Sequence, residues 1–467
     1  MSLDELHYQP LITVAHHIAD RRISPVEVTR TILDRIARLD PKLGSFTTVT
    51  EDLAMRQARA AEAEIVAGRY RGPMHGIPVA VKDLCFTKGI RTTGGMTIHA
   101  DFVPDHDATV VSRLAQAGAV LLGKLHMTEG ATIEHHPDLP EPVNPWKSDL
   151  WTGVSSSGSG IATAAGLTYA AIGSDTGGSI RFPAACNGLT GVKPTWGRIS
   201  RHGIFDLAAT FDHLGPMARS AADAAAMLQC LAGWDPEDTT SLSSPVPDYL
   251  AGLAGVSGAR GARIGIDWDY AGTDLEPATL RCMEDAVGVL ETIGADLRTV
   301  AFPAVDTLLR YTMVMTMAEM AVHHEATYPS QADRYGAWIS KGMEAGRSAT
   351  SLEIGKGIIA RATFRGALAR LFDEVEMIVV PVFRTGTPTW AEVRAAVAED
   401  FNIIGKFTTP FNASGTPTVT LPCGFSGDGR PIAFQLAGPA GSEGRLLRVA
   451  HAYQQETDWH VRRPPVS

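Results

Sequence analysis

A serine preceded by two glycines is the strongest chemical signal in this sequence. Residues 174–183 read SDTGGSIRFP, with Ser179 directly after Gly177 and Gly178. Two glycines let the backbone turn tightly, so that consecutive N–H groups can point into one concavity. Such a nest can hold the oxyanion that forms when a serine attacks a carbonyl carbon. The segment therefore favours a nucleophilic serine, although Gly-Gly-Ser alone is equally typical of a plain turn.

A run of serines and glycines lies upstream of this segment. Residues 153–160 read GVSSSGSG, and Ser155 stands 24 positions before Ser179. A flexible linker is the simplest alternative for such a composition. However, Trp146 and Trp151 precede the run and an apolar Ala/Gly/Leu stretch follows it. We therefore expect the run to lie inside the folded core.

The third candidate is Lys82, which ends the short apolar run 77–81 (IPVAV). A lysine with the reference pKa of about 10.4 is neutral roughly once in two thousand at pH 7. Burial can lower a lysine pKa by about 3–5 units. A buried lysine among serine hydroxyls could therefore act as the base in a Ser-Lys arrangement. The simpler alternative is a surface lysine.

Together these three segments resemble the amidase signature family. The family places its base in Val-Lys-Asp at a strand end, its bridging serine in Gly-Gly-Ser-Ser-Gly-Gly-Ser, and its nucleophile in (Thr/Ser)-Asp-x-Gly-Gly-Ser-Ile-Arg. The corresponding segments here are 81–83, 153–159 and 174–181. The resemblance covers nearly the whole chain, because 144–146, 188–195, 215–216, 407–412 and 435–439 are also similar to the family.

The resemblance implies a mechanism for these positions. Neutral Lys82 takes a proton from Ser155, whose preceding peptide bond is cis in the family, and Ser155 in turn deprotonates Ser179. Ser179 attacks the carbonyl carbon to give an acyl-enzyme, which water then releases. Backbone N–H groups around Ser179 hold the oxyanion, at Thr176, Gly177 and Gly178.

The resemblance also implies supporting residues. Ser156, Asp175 and Arg181 are expected to brace the site, and Asp175 with Arg181 could equally be a structural ion pair. Val154 and Ser157 replace glycines of the family's run, which leaves the cis backbone open.

The substrate pocket is predicted from two weaker features. Residues 130–143 (GATIEHHPDLPEPV) form a shorter loop than is common in the family. Gly130 occupies a position where many members carry a bulky residue, and Gly130 and Ala131 are the predicted pocket residues. The small residue at position 130 favours a wider acyl pocket. Residues 304–373 look helical and are expected near the substrate entrance. Tyr311 and the methionines Met313, Met315, Met317 and Met320 are candidates for its wall, with plain core as the alternative.

Alternating strands and helices predict an α/β fold. We expect one large domain over 1–467, with a central mixed, twisted β-sheet covered by helices on both faces, an N-terminal helical part over 1–70 and a signature core over 70–220. Ser24-Pro25 with Glu27 predicts a helix start, and Asp40-Pro41 predicts its end. Asp107 is expected to cap another helix.

Composition narrows the possible partners. The net charge of -10 argues against nucleic acid and anionic membranes. Five scattered cysteines and an N-terminus without a signal-peptide pattern favour a reduced, cytoplasmic protein. We expect a small-molecule amide or carbamate substrate and no cofactor or metal. The paired histidines, such as His135-His136, lack the spacing of metal ligands. A homodimer is left open.

One favoured function and three alternatives remain to be distinguished. A hydrolase of small, apolar or aryl amides is favoured, and esters or carbamates offer the same reacting carbonyl, so a urethane hydrolase is one alternative. A second is the glutamine-hydrolysing component of a tRNA-dependent amidotransferase, although residues 180–183 (IRFP) look more like the stand-alone amidases. A third is a binding protein that lost the chemistry, which the presence of all three triad residues disfavours.

Overall fold

One mixed β-sheet organises the protein. The structure is a computed structural model and describes residues 3–253, 256–400 and 402–466. The strands are β1 Phe46–Val49, β2 Pro78–Lys82, β3 Val120–Leu125, β4 Ala170–Asp175, β5 Thr190–Lys193, β6 His213–Ala218, β7 Arg263–Ile266, β8 Asp296–Thr299, β9 Met377–Pro381, β10 Thr418–Phe425 and β11 Pro431–Ala437.

The strand order is β1-β3-β2-β4-β6-β5-β10-β11-β9-β7-β8. The pairs β2–β3, β2–β4, β7–β8 and β7–β9 are parallel and the others antiparallel. The first six positions come from the first half of the chain and the other five from the second half. The strands β5 and β10 join the two halves.

Burial of the strands shows that both faces of the sheet are covered. Successive side chains of a strand point to opposite faces. Every residue of β2, β3, β4, β9 and β11 is buried, so packing elements must lie on both sides. The predicted α/β fold with a helix-covered mixed sheet is confirmed.

Helices make up most of the remaining structure. They are α1 Leu11–Ala19, α2 Pro25–Leu43, α3 Glu51–Val66, α4 Thr109–Gln116, α5 Ser157–Ala164, α6 Arg181–Cys186, α7 Ala221–Leu231, α8 Trp268–Ala271, α9 Pro277–Thr292, α10 Asp306–His323, α11 Ala337–Ser348, α12 Ser351–Glu374, α13 Trp390–Glu399, α14 Asn402–Gly405, α15 Thr409–Ser414 and α16 Glu443–Glu456. Among the described residues, no helix is both long and apolar enough to cross a membrane.

Two predicted helix boundaries are wrong. The Ser24 capping box with Glu27 is present, but α2 runs through Pro41 and ends at Gly44, which adopts the left-handed conformation that closes a helix. Proline costs only one hydrogen bond so close to the helix end. The other helix, α4, is preceded by Ala108, and the Asp107 carboxylate instead accepts the N–H of Lys88.

The stretch 151–203 contains more regular structure than its sequence indicates. It forms α5, β4, α6 and β5, and nearly all of its residues are buried. An element buried on all sides has no polar face, so its sequence lacks the periodicity that marks amphipathic elements.

Candidate active site

The parallel strands β2 and β4 bring the predicted residues to one edge of the sheet. Val81 of β2 pairs with Ile172 of β4, so the carboxyl ends of both strands meet at this edge. Lys82 is the last residue of β2, and Ser174 lies near the end of β4. In open α/β sheets, ligands bind at the carboxyl ends of strands. The arrangement therefore creates a site where two strands and the loops after them converge.

Lys82 is completely buried and contacts two hydroxyl groups. Its Nζ lies 2.6 Å from Oγ of Ser155 and 2.8 Å from Oγ of Ser174. Among the described residues, no ion pair includes Lys82. Burial lowers the pKa of Lys82 to about 7, and nearby anionic groups offset this only in part. The amine is therefore poised to exchange a proton near neutral pH.

Ser155 is held between Lys82 and the chain after β3. It is completely buried, and its carbonyl oxygen accepts the N–H of Thr128 at 3.2 Å. The Val154–Ser155 peptide bond is cis, as the resemblance implies. The serine run lies inside the core, as predicted, and continues into α5.

Ser179 lies in the loop between β4 and α6 and is 9% exposed. In the described part of the chain, no hydrogen bond joins its hydroxyl to that of Ser155. Hydrogen bonds between catalytic groups are often long before substrate binds. The structure thus brings Lys82 and Ser155 into contact, and Ser179, in the loop after β4, does not make the expected hydrogen bond to Ser155.

The loop before Ser179 keeps its backbone N–H groups free. Thr408 donates its hydroxyl to the carbonyl oxygen of Gly177 at 2.6 Å. Because the N–H of a peptide points opposite to its carbonyl, this contact turns the N–H of Gly178 the other way. Within the described residues, the N–H groups of Gly177, Gly178 and Ser179 have no protein acceptor. They can receive an oxyanion.

Only glycine fits at position 178. Its φ is +143°, and a Cβ there would lie 2.5 Å from the ring of Phe182. The second glycine of the Gly-Gly-Ser segment is therefore required by both backbone conformation and close packing.

Thr176 is fixed by a buried carboxyl group that the sequence did not single out. Its hydroxyl donates to Asp212 at 2.5 Å, and the other oxygen of Asp212 accepts the N–H groups of Leu207 and Ala208. Burial, and then nearby Asp206, raises the pKa of Asp212 to about 7.

Asp175 and Arg181 form a completely buried, two-pronged ion pair. Arg181 Nη2 lies 2.8 Å from Asp175 Oδ1, and Nε lies 3.0 Å from Oδ2. Oδ2 also accepts the N–H of Ile180. Burial alone would raise the pKa of Asp175, but the guanidinium of Arg181 holds it well below its usual range. The pair spans both sides of Ser179 and therefore fixes that loop.

The second half of the chain completes this brace. Arg181 Nη1 donates to the carbonyl oxygen of Thr408 at 2.7 Å, and Nη2 donates to Oδ1 of Asn412. Asn412 Nδ2 also donates to Asp175 Oδ1. The family-like segment 407–412 thus supports the loop that contains Ser179.

Ser156, also predicted as a supporting residue, ties the serine run to β4. Its hydroxyl accepts the N–H of Ser174 and donates to the carbonyl oxygen of Ser174, both at 3.2 Å. Ser174 therefore links Lys82 to the serine run. The sequence alone gave Ser174 no role, and a small hydroxyl residue before Asp175 was the available signal.

A cavity of about 150 Å³ is lined by residues that adjoin the site along the chain, although Lys82, Ser155 and Ser179 do not line it themselves. Met127 in its wall precedes Thr128, which is bonded to Ser155, and Asp206 precedes Leu207, which is bonded to Asp212. Its lining combines small, apolar and polar side chains: Gly94, Met96, His99, Met127, Gly130, Ile204, Phe205, Asp206, His323 and His324.

Only some of the residues predicted to form the pocket line this cavity. Gly130 lines it, and Ala131 is buried beside Gly130 without lining it. Of the predicted helical segment 304–373, only His323 and His324 line the cavity. None of the predicted aromatic or methionine candidates lines it: Tyr311, Met313, Met315, Met317 and Met320. Met315 and Met320 belong to the core instead, which was the plain alternative.

Known proteins match this chain over nearly its full length. A protein of Mycobacterium tuberculosis named as an amidase, AmiD, is 44% identical over 466 residues, covering 99% of this chain and 97% of its own. One component of the glutamyl-tRNA(Gln) amidotransferase of Pseudomonas syringae is 39% identical over 491 aligned positions, covering 98% and 99%. The solved peptide amidase of Stenotrophomonas maltophilia is 30% identical, with a TM-score of 0.82 and 98% of both chains covered.

The sequence pattern of the family named Amidase matches residues 27–447. That span includes every residue of the site described above. Together with the fold and with relatives that are themselves named amidases, it identifies the protein as an amide hydrolase. The chain belongs to the amidase family.

Proposed function

We propose that this protein hydrolyses a small amide with an apolar or single-ring aryl group, with Ser179 as nucleophile, Ser155 as proton relay and Lys82 as base. The observation that carries the proposal is the completely buried Lys82 amine, 2.6 Å from the Ser155 hydroxyl and without an ion-pair partner among the described residues. Such an amine can lose its proton near neutral pH, which an ion-paired lysine cannot do easily.

The proposed reaction moves one proton along the triad in each direction. Ser155 passes its hydroxyl proton to neutral Lys82 and takes the proton of Ser179, while Ser179 Oγ forms a bond to the substrate carbonyl carbon. The oxyanion is held by the free N–H groups of the loop that ends at Ser179. Lys82 returns its proton through Ser155 to the leaving nitrogen as the C–N bond breaks. Water then cleaves the acyl-enzyme to a carboxylic acid by the same route.

The mechanism requires one adjustment of the structure. The hydroxyls of Ser155 and Ser179 must come within about 3 Å of each other when substrate binds, because proton transfer needs a direct hydrogen bond.

The cavity whose walls adjoin, along the chain, residues bonded to Ser155 and Asp212 supports the substrate class. A cavity of about 150 Å³ can hold a single benzene ring, and Met96, Met127, Ile204 and Phe205 form the apolar part of a lining that also contains His99, Asp206, His323 and His324. We propose that it receives the acyl group.

The same cavity argues against the glutamine-hydrolysing alternative. Its lining contains Asp206, which suits the α-ammonium group of glutamine, but no lysine or arginine that could pair with the α-carboxylate. In addition, the alignment with the amidotransferase component spans 491 positions, more than the 467 residues of this chain. That protein therefore contains stretches that this chain lacks.

A serine-directed fluorophosphonate tests the nucleophile. We expect it to label Ser179 of the wild-type protein and to leave the Ser179→Ala variant unlabelled. The Lys82→Met variant keeps Ser179 but lacks the base, so its labelling rate should fall by at least about 100-fold. Labelling of the Lys82→Met variant at a rate close to that of the wild type would contradict the proposed triad.

A substrate panel tests the specificity. Benzamide, an anilide, an aryl ester, an aryl carbamate and glutamine should be compared by kcat/KM on the purified chain alone. We expect benzamide or the anilide to exceed glutamine by at least about 100-fold, because an uncompensated carboxylate is costly to bury. A preference for the carbamate would favour the urethane hydrolase, and a preference for glutamine would favour the amidotransferase component.

A further inference from the structure

The three residues that follow Ser155 are each held by a different part of the fold. The Ser156 hydroxyl is bonded to the backbone of Ser174 in β4. The Gly158 N–H donates to the carbonyl oxygen of His126, just after β3, at 2.9 Å. Between them, the Ser157 hydroxyl lies 3.1 Å from Nε2 of His135. The first two attachments come from core strands, and the third comes from the short loop 130–143.

The contact between Ser157 and His135 is partly buried. Ser157 is completely buried, and the His135 ring lies between His126, at 5.2 Å between ring centroids, and Trp390, at 5.8 Å. Burial, and then the charges of His126 and Arg394, lower the pKa of His135 to about 3. His135 is therefore neutral at neutral pH, and its Nε2 can accept a hydrogen bond from the Ser157 hydroxyl.

The rest of the loop is anchored independently. Glu134, the residue before His135, forms an ion pair with Arg394 of α13 at 3.3 Å. The Glu129 N–H, just before the loop, donates to the carbonyl oxygen of Glu134. These two contacts hold the loop next to His135, whose imidazole faces the serine run.

This contact joins two departures from the family pattern. Ser157 stands where the family's serine run has a glycine, and His135 belongs to the loop that is shorter than is common. A glycine at position 157 could not make the bond, and a different loop would not place an imidazole there. The two changes therefore form one structural unit.

We infer that His135 and Ser157 form a positioning pair that holds Ser155 in place for proton exchange with Lys82. The inference rests on the proposed triad. Neither residue touches the reacting atoms, so the pair acts through the backbone of the serine run. A displacement of about 1 Å in a catalytic group can cost 100-fold in rate, so a hydrogen bond two residues from Ser155 is close enough to matter.

A double-mutant cycle tests the pair. Ser157→Gly and His135→Ala should each lower kcat about tenfold, with KM within about twofold, since substrate contacts are untouched. The double variant should be no slower than the slower single variant, because both changes remove the same bond. The fluorophosphonate labelling rate of Ser179 should fall in parallel, which reports the effect without depending on the choice of amide. His135→Gln, which retains a hydrogen-bonding group, should recover part of the rate.

The control is the neighbouring histidine on the same loop. His136→Ala removes a buried imidazole that contacts Thr97 and Asp138, so it disturbs the loop without touching Ser157. An equal loss of kcat in His136→Ala, additive losses in the cycle, or unchanged kcat in both single variants would overturn the positioning pair.

These experiments distinguish a failure of the positioning pair from a failure of the proposed triad. Unchanged kcat in the Ser157 and His135 variants of a protein that Ser155→Ala inactivates would overturn the pair and leave the triad standing. Full turnover in Ser155→Ala and Ser179→Ala would instead overturn the proposed function itself.

Discussion

The chemistry proposed for Lys82 conflicts with the stability of the folded protein. Its amine is buried among hydroxyls, where the charged form is poorly solvated. Its pKa falls from 10.5 to about 7, so folding at neutral pH must either bury the charge or release a proton. Groups that are placed for function often destabilise a protein, and interactions elsewhere in the fold compensate for this loss.

The pH dependence of turnover should report this lysine. We expect kcat/KM to rise with pH through a midpoint at about 7, because only the neutral amine can accept a proton, and then to level off. Asp212 also has a pKa of about 7, so the profile must be repeated with Asp212→Asn. An unchanged midpoint in that variant assigns the titration to Lys82, and a lost midpoint assigns it to Asp212.

The Lys82→Met variant should be inactive and yet at least as stable as the wild type. The folded-state pKa lies below the unfolded value, so the stability cost of the lysine is full below pH 7 and disappears as pH rises towards 10.5. The gain in Tm should therefore be largest at pH 7 and below, and should shrink towards pH 10. Thermal unfolding at several pH values measures it. A Met variant that is less stable than the wild type at pH 6 contradicts this expectation.

Gly130 should control the size of the acyl group. Its φ is +54°, and a Cβ there would approach Ile339 Cδ1 to 2.7 Å. Gly130→Phe should lower kcat/KM for benzamide by at least about tenfold relative to acetamide, because the ring fills the cavity that a substrate ring needs. Gly130→Ala is the matched control, since it carries the backbone strain without the bulk. Equal effects of Phe and Ala on the benzamide-to-acetamide ratio contradict a size filter.

At the level of elements, the loop between β4 and α6 is fixed from both halves of the chain. Asp175 ends β4 and Arg181 begins α6, so their ion pair closes the loop that contains Ser179. Thr408 and Asn412 then hold Arg181 from the start of α15. Ser179, the proposed nucleophile, is thereby held between two residues that are themselves fixed by buried contacts.

Breaking this pair on one side should be costly. Arg181→Met leaves the Asp175 carboxylate buried without its partner, which should lower the free energy of unfolding by about 3–5 kcal/mol. Denaturant unfolding measures the change. Arg181→Lys keeps the charge but not the planar fork, so it should recover only part of the loss. Asp175→Asn combined with Arg181→Met should be less destabilised than Arg181→Met alone; a loss equal to the sum of the two single losses would argue against a coupled pair.

On the scale of the whole molecule, the two halves of the chain share one sheet. The first half carries Lys82, Ser155 and Ser179 and ends its part of the sheet at β5, which pairs with β10 of the second half. Without that half, β5 would present an unpaired edge and Arg181 would lose the partners at 408 and 412.

A fragment of residues 1–250 should therefore fail to form an active site, although it contains all three residues of the proposed triad. We expect it to be aggregated and unlabelled by the fluorophosphonate, and co-expression with residues 256–467 to restore labelling of Ser179. A soluble fragment that is labelled at the wild-type rate contradicts the structural dependence of the site on the second half.

The sequence by itself determined the family of this protein more than its shape. Lys82, Ser155, Ser179 and the two glycines lie in short segments that carry the family's residue types, so the family, and the mechanism that it implies, could be read locally. The α/β fold followed from alternating apolar segments. The elements of residues 151–203 could not be predicted in this way because they are buried on all sides and have no polar face.

Only the tertiary structure decided which residues surround that chemistry. The contacts of Lys82 with Ser174, of Thr176 with Asp212, and of His135 with Ser157 join residues between 22 and 92 positions apart in the chain. Of the α10 methionines expected at the pocket, Met315 and Met320 lie in the core and Met317 packs against it, whereas the cavity is lined by Met96 and Met127 from other segments. Periodicity indicates which face of a helix is apolar, but the packing of distant elements decides whether that face meets the core or a cavity.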